Sequence, residues 1–498
     1  MGMRRRHAAG HRHPRIARVN CSSAAKPGNR RKLQMQIITP GMRLVPEAVL
    51  ANNAALFRAI PETPSHADSS LHRVVIVGGG AGGLELATRL GRKFGKRQLS
   101  ITLVDRNRTH IWKPLLHEVA SGALSASSDA VEYIAHASRY HYRYRIGEVV
   151  GIDRTGRQIF VAPSFDDEGR QVIPPRVLGY DTLVLAVGSV SNDFGTPGAA
   201  RHAIALDTAD QAARFNRRMI DACLRANAQY EQLSPDQLHC VIIGAGATGV
   251  ELAAELHKSM REIASHNLDN IDFERLIRIT IVEAGPRILP ALPEPLARAS
   301  AHLLRDLGVQ IRCGIKVTEV TENGVRLGEK LFVPAELIVW SAGIKAPDFL
   351  KKLDGLETDH INRLVVDETL RARGDENVFA IGDCASCVLP GEDNPLPPRA
   401  QTAHQQAHHL AKVIAARLEG RAAPAFRYRD FGSLVSLSDY GSFGTLIGGL
   451  KIEGLLARLM YRTLYKMHLK AVHGSLNTTL DTIAGIFARR TKPRVKLH

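Results

Sequence analysis

The chain has 498 residues, 44% hydrophobic and 23% charged, with 66 Lys+Arg against 49 Asp+Glu for a formal net charge of +17. Such a composition supplies apolar cores for several domains and excludes a collagen-like or wholly disordered polymer. Residues 1–46 hold 11 Lys/Arg and no acid, residues 451–498 have a net charge of +8, and the rest sums to −2, so the folded body offers no basic stripe to nucleic acid.

In chain order, residues 1–70 are rich in Arg, His and Pro and lack an apolar period. They are expected to form a disordered basic leader, or to precede a later start at Met35 or Met42. Being Arg-rich and acid-poor, they also fit an organelle transit peptide. Order is expected from Arg73. The apolar run 74–77 reads as a strand that enters Gly78-Gly79-Gly80-Ala81-Gly82-Gly83 and then an Ala/Leu/Glu-rich helix. A second strand, 101–104, ends on Asp105, 22 residues past Gly83.

The same block returns 166 residues later: 74–90 and 240–256 are identical at 10 of 17 positions, with Gly78, Gly80, Gly83 and Glu85 matched by Gly244, Gly246, Gly249 and Glu251. Each copy reads as a dinucleotide-binding βαβ unit. The first glycine makes the turn, the second lets the backbone approach a pyrophosphate at the helix N-terminus, and the third lets helix and strand pack closely. The acid ending the next strand accepts a ribose hydroxyl. In the second copy that acid is Glu283, 34 residues past Gly249, with 259–275 lengthening the crossover. An acid at 283 repels a 2′-phosphate and favours NADH, while Arg287 nearby weighs the other way.

Residues 181–188 and 335–343 read as matched strands entering glycine turns, and 377–383 as a strand that delivers Asp383 to a helix N-terminus. The predicted fold is α/β, with two nested Rossmann-like domains, the first split around the second. Two such sites suit a chain that holds a flavin in one and admits a nicotinamide to the other, since hydride then passes by positioning. The cysteines are scattered and do not form a disulfide framework. Cys384-x-x-Cys387 is a candidate redox pair at a predicted helix start, where a thiolate is favoured. No second pair stands at zinc-ligand spacing, His404, His408 and His409 fit a helix surface or pocket better than a metal, and no metal site is expected.

No run reaches the roughly 18 apolar residues of a spanning helix. After Gly454, Leu455, Leu456, Leu459, Met460, Leu464, Met467 and Ala471 form an apolar stripe, with Arg458, Arg462, Lys466 and Lys470 on another face. Leu476, Leu480, Ile483, Ile486 and Phe487 make a second stripe before a basic run at 489–496. These read as amphipathic helices in a membrane interface, or as helices packed on the enzyme or a dimer seam.

Taken together, the two glycine turns, Asp105, residues 181–188 and Ile381-Gly382-Asp383 resemble the two-dinucleotide-binding-domain flavoproteins. Within them, residues 109–120, 339–344 and 399–405 are similar to type II NADH dehydrogenase, the non-pumping NADH:quinone oxidoreductases, over about residues 71–498. The resemblance implies FAD on Gly78, Gly80, Gly83, Asp105 and Asp383, with Lys113 near the isoalloxazine. It implies NADH on Gly244, Gly246, Gly249, Glu251 and Glu283, and a membrane quinone at Gln401 and Gln405, which share a helix face. Many members place a Glu beside the nicotinamide where this chain has Asn192 and Asp193.

The expected layout is a leader at 1–70, an FAD domain at 71–195 and 346–450, an NADH domain at 196–345, and membrane-associating helices at 451–498. A homodimer is compatible with this reading. The expected location is the cytoplasmic face of the bacterial inner membrane, or otherwise the mitochondrial inner membrane. Another NADH-dependent flavoprotein reductase, a sulfide:quinone oxidoreductase and a non-enzymatic flavin redox sensor are the rival readings. A disulfide reductase is disfavoured, because no Cys pair follows the first glycine turn.

Overall fold

The computed structural model describes residues 71–474 except 96, 127–129, 167, 230–231, 266–271 and 447–448, together with residues 60, 62, 478, 479 and 482. The basic leader, apart from residues 60 and 62, the second C-terminal apolar stripe and the run at 489–496 lie outside the described residues.

The first sheet begins with β1 (His72–Val77), whose Val74, Val75, Ile76 and Val77 are all buried. An unbroken β-branched run of this kind suits a parallel strand covered on both faces. It leads into α1 (Ala81–Phe94), then β2 (Leu99–Asp105), the short helices α2 (Leu116–Ser121) and α3 (Tyr133–Arg139), β3 (Arg143–Ile146) and β4 (Thr182–Leu185). The second sheet is built from β5 (Ile204–Ala205), β6 (His239–Ile243), β7 (Arg278–Glu283), β8 (Gln310–Cys313) and β9 (Leu337–Trp340). Within it, α4 (Ala209–Ala228) starts on a complete capping box between Thr208 and Gln211, and α5 (Ala247–Ala264) follows β6.

The chain then returns to the first sheet. β10 (Val378–Ala380) pairs in parallel with β4, giving the spatial order β10-β4-β1-β2-β3, while the second sheet is ordered β5-β9-β6-β7-β8. Both sheets are wholly parallel. The first is therefore closed by a strand from the far side of the second, as nesting requires.

Helix α6 (Ala400–Leu418) lies on α1, burying Ala403, Ala407, Leu410, Val413 and Ile414. An antiparallel sheet of β11 (Ser433–Leu437), β12 (Gly441–Thr445) and β13 (Lys451–Glu453) carries the last described helix, α7 (Gly454–His473). α7 packs on β12 through Ala457 and reaches the first domain through His468 and Val472, all three buried. The Val472 carbonyl accepts from His136, and the His473 carbonyl accepts from the Tyr140 hydroxyl at 2.8 Å. His468 meets His110 at 2.9 Å between Nε2 atoms and stacks on Trp112. Among the described residues, no helix is long and apolar enough to cross a membrane.

Candidate functional site

The two glycine turns are superposable in their bonding as well as their spelling. Gly78 N–H donates to Val104 O and Gly244 N–H to Val282 O, both at 2.8 Å. Asp105 Oδ2 accepts from Gly79 N–H at 2.6 Å, and Glu283 Oε2 accepts from the equivalent Ala245 N–H at 2.8 Å. Each acid thus ties the end of its second strand to the turn before α1 or α5, fixing the mouth of the phosphate cradle.

The glycines are required sterically. Gly78 and Gly244 have φ of +101° and +103°, and a Cβ on Gly83 or Gly249 would lie 1.9 Å from the Gly78 carbonyl oxygen or 2.1 Å from that of Gly244. By contrast, Gly246 meets nothing within 4 Å, and Gly80, the N-cap of α1, carries no side-chain cap. Open N–H groups at a helix start, with space where a side chain would stand, fit a dinucleotide pyrophosphate. Both turns therefore fit the pyrophosphate of a dinucleotide.

One cavity of about 2700 Å³ runs past both turns and is lined by Asp105, Lys113, Glu251, Asp383, Gln401 and Gln405. A drug-sized ligand occupies roughly 300–1,000 Å³, so the space admits more than one large molecule. Beyond α6 the same cavity is bordered by Tyr461, Leu464, Met467 and His468 of α7.

Lys113 donates to the Ser189 carbonyl at 2.8 Å and pairs with Asp207 at 3.3 Å. Asp207 also accepts from Ser191 N–H, so it bridges the strand ends of the two domains. Asp383 accepts from the Ser189 hydroxyl at 2.8 Å, and the adjoining Gly382 N–H donates to Gln406 at 2.7 Å. Asp207 and Gln406 were not singled out from the sequence. Gln406 had a signal: it sits one turn beyond Thr402 on the buried face of α6, where an amide must have a partner.

Gln401 and Gln405 stand on one face, as their spacing predicts, but both amides are committed to segment 429–432. Gln401 donates to Asp430 and the Gly432 carbonyl and accepts from Phe431 N–H, while Gln405 exchanges two bonds with Arg429. They clip segment 429–432 to α6 at the cavity wall.

Glu251 departs further from its expected surroundings. It lies on α5 facing β11, α2 and α7, with Ser436 N–H donating to it at 3.0 Å and the Tyr461 hydroxyl also bonded to it. Burial pushes its carboxyl up to about 8, and burial pushes the neighbouring His117 down to about 4. Both groups are neutral at pH 7, so their 3.8 Å separation is not an ion pair. Asn192 and Asp193 accept from the N–H groups of Phe194 and Gly195, turning their own loop.

Cys384 and Cys387 are buried, with thiols directed at the carbonyls of Leu185, Ile381 and Asp367. Burial raises both to about 11, so neither supplies a thiolate. A 3₁₀ turn followed by a strand, not the expected helix start, holds them. Among the described residues, no three His, Cys, Asp or Glu side chains are grouped to hold a metal.

Arg287, beside the second acid, gives its guanidinium to the carbonyls of Ile288, Leu289, Pro290 and Leu292. It is thereby occupied and turned to its own loop.

Residues 72–407 match the family model described as pyridine nucleotide-disulphide oxidoreductase. The chain is 40% identical over 446 residues to the type II NADH:quinone oxidoreductase of Haemophilus influenzae, covering 86% of this chain and all of the relative. It is 29% identical over 396 residues to the protein of that name from Staphylococcus aureus, covering 79% of this chain and 94% of the relative. The fold is similar to NDH2 from Plasmodium falciparum in complex with NADH, with a TM-score of 0.70 at 20% identity over 85% of this chain and all of that one. It is also similar to the sulfide:quinone oxidoreductase of Aquifex aeolicus, with a TM-score of 0.62 at 16% identity over 84% and 95% of the two chains.

Proposed function

The chain belongs to the type II NADH:quinone oxidoreductases and to the wider pyridine nucleotide-disulphide oxidoreductase family, and from that premise we propose that it oxidises NADH through bound FAD and reduces a membrane quinone without translocating protons. The carrying observation is the single cavity that joins both dinucleotide turns to the Gln401/Gln405 helix and the flank of α7. Bound FAD would accept hydride and return two electrons, chemistry that no side chain of this site supplies.

What the chain contributes is position and dryness. Gly78, Gly80, Gly83, Asp105 and Asp383 hold the flavin nucleotide, with Lys113 anchored by Asp207 beside it. Gly244, Gly246, Gly249, Glu251 and Glu283 hold NADH, and Arg287 is occupied by the carbonyls of its own loop. Glu251 lines the same cavity beside Gly246, Ala247 and Thr248 of the second turn. Gln401 and Gln405 shape the quinone end through segment 429–432.

The FAD part is taken as 71–195 and 346–450 and the NADH part as 196–345, with 451–498 as the C-terminal part; the return of β10 to the first sheet supports the nesting. Leu455, Leu456, Leu459, Leu464 and Met467 of α7 are exposed, and so are Leu450 and Phe431 nearby. This patch, next to the quinone end, is read as the membrane-facing surface of a peripheral enzyme on the cytoplasmic face. The test is steady-state turnover of the FAD-loaded protein with lipid. NADH oxidation dependent on ubiquinone-1 is expected, with no pH gradient formed in sealed vesicles, and failure to reduce the quinone contradicts the reading.

A further inference from the structure

A buried carboxylate stands behind a half-exposed imidazole in the same wall as the two glutamines. Glu85, in the second turn of α1, is 1% exposed, and His404 of α6 is 39% exposed, with His404 Nδ1 at 2.5 Å from Glu85 Oε2. The other carboxylate oxygen takes Arg89 Nε at 2.6 Å. Both oxygens of Glu85 are thus engaged, and its position is fixed from two sides. The Glu85 contact assigns the proton of the neutral ring to Nδ1, which leaves Nε2 as the free nitrogen. Among the described residues Nε2 has no partner, and His404 lines the cavity with Gln401, Gln405 and His408.

The remaining charged neighbours come from each packed element. Arg89 lies on α1, His408 and Lys412 on α6, and His468 on α7, where it senses His404 electrostatically. A carboxylate that orients one ring nitrogen and supports the charged ring as it forms is the arrangement by which histidine carries protons.

The reaction needs one such carrier. Hydride from NADH brings two electrons and one proton, whereas a quinone requires two electrons and two protons, so one proton per turnover must come from solution. Resting on the quinone reading above, we propose that His404, positioned by Glu85, donates this proton to a quinone oxygen at the Gln401/Gln405 end of the cavity. An O–H bond forms as the Nε2–H bond of the charged ring breaks, and the neutral ring, still donating Nδ1–H to Glu85, recovers a proton from solvent at its exposed edge. Glu85 is a positioning residue in this scheme. Its segment repeats in the second domain as Glu251, but only the first copy faces an exposed histidine.

The experiment compares two acceptors on the flavin-loaded protein: ubiquinone-1, whose reduction consumes protons, and ferricyanide, whose reduction consumes none. His404→Ala is expected to lower kcat with ubiquinone-1 about a hundredfold, in the range of a lost general acid, while the ferricyanide rate changes no more than about twofold. Added imidazole should restore ubiquinone-1 turnover in His404→Ala. Glu85→Gln should lower kcat for ubiquinone-1 without raising KM.

Calorimetric binding of ubiquinone-1 to the oxidised protein, with no NADH present, should be unchanged within about twofold in both variants. Flavin content should equal wild type. An unchanged ratio of the two acceptor rates, or equal loss with both and no rescue, overturns the proton role. Wild-type protein that ignores ubiquinone-1 altogether overturns the quinone reading instead.

Discussion

Among single residues, Glu251 is the least ordinary. The family resemblance implied that it holds NADH together with the glycines of the second turn. The structure places it four residues inside α5, where α2, β11 and α7 close over it, an environment assembled from segments as much as 210 residues away. No local pattern announces that. Its carboxyl, near 4.5 in the unfolded chain, rises to about 8 when buried. The folded state therefore binds the extra proton, and stability falls as pH rises from about 4.5 to about 8. Glu251→Gln should remove this loss. The variant should melt close to wild type at pH 5 and be more stable at pH 8.5, by on the order of a few kcal/mol, as read by thermal unfolding at both pH values. Glu283 offers a second residue-level check. With Arg287 bound to four carbonyls, the discrimination against NADPH rests on the acid, so Glu283→Ala should reduce the ratio of kcat/KM for NADH over NADPH by about tenfold or more, equivalent to about 1.4 kcal/mol.

At the level of elements, what was legible followed from chain-local periodicity. Strands β1 and β6, with their turns and helices, could be read because a run of four or three β-branched residues followed by three spaced glycines allows few other structures. The extra length before Glu283 is real and lies partly in α5, which has 18 residues against 14 in α1. The orientation of the Gln401 and Gln405 amides was not legible, since helix spacing gives the face but not the partner, and the partner is a loop segment beginning 24 residues after Gln405. The apolar stripe on α7 was visible in sequence, whereas its buried counter-face of Ala457, His468 and Val472 depends on α3 and β12. If the exposed row docks on lipid, replacing Leu456 and Leu459 with Lys should lower co-sedimentation with anionic phospholipid vesicles several-fold while NADH still reduces ferricyanide at the wild-type rate. Undiminished co-sedimentation would remove the anchor role from α7.

Across the whole molecule, charge and topology answer different questions. The net charge of +17 belongs to the two ends, and the body between them, close to neutral, is an enzyme with two nucleotide turns related by matching hydrogen bonds. Nesting brings those turns together. Because β10 returns to the first sheet after the second is complete, Asp383 and α6 arrive beside Gly78 and Lys113, and the Lys113–Asp207 pair joins the two domains over the shared cavity. The central claim is that this one cavity passes electrons from NADH to quinone by way of a resident flavin. Anaerobic titration tests it most directly. NADH should bleach the visible absorption of the bound flavin at about one equivalent, and ubiquinone-1 added afterwards should restore it fully. Flavin that stays oxidised under NADH, or stays bleached under ubiquinone-1, would contradict the account.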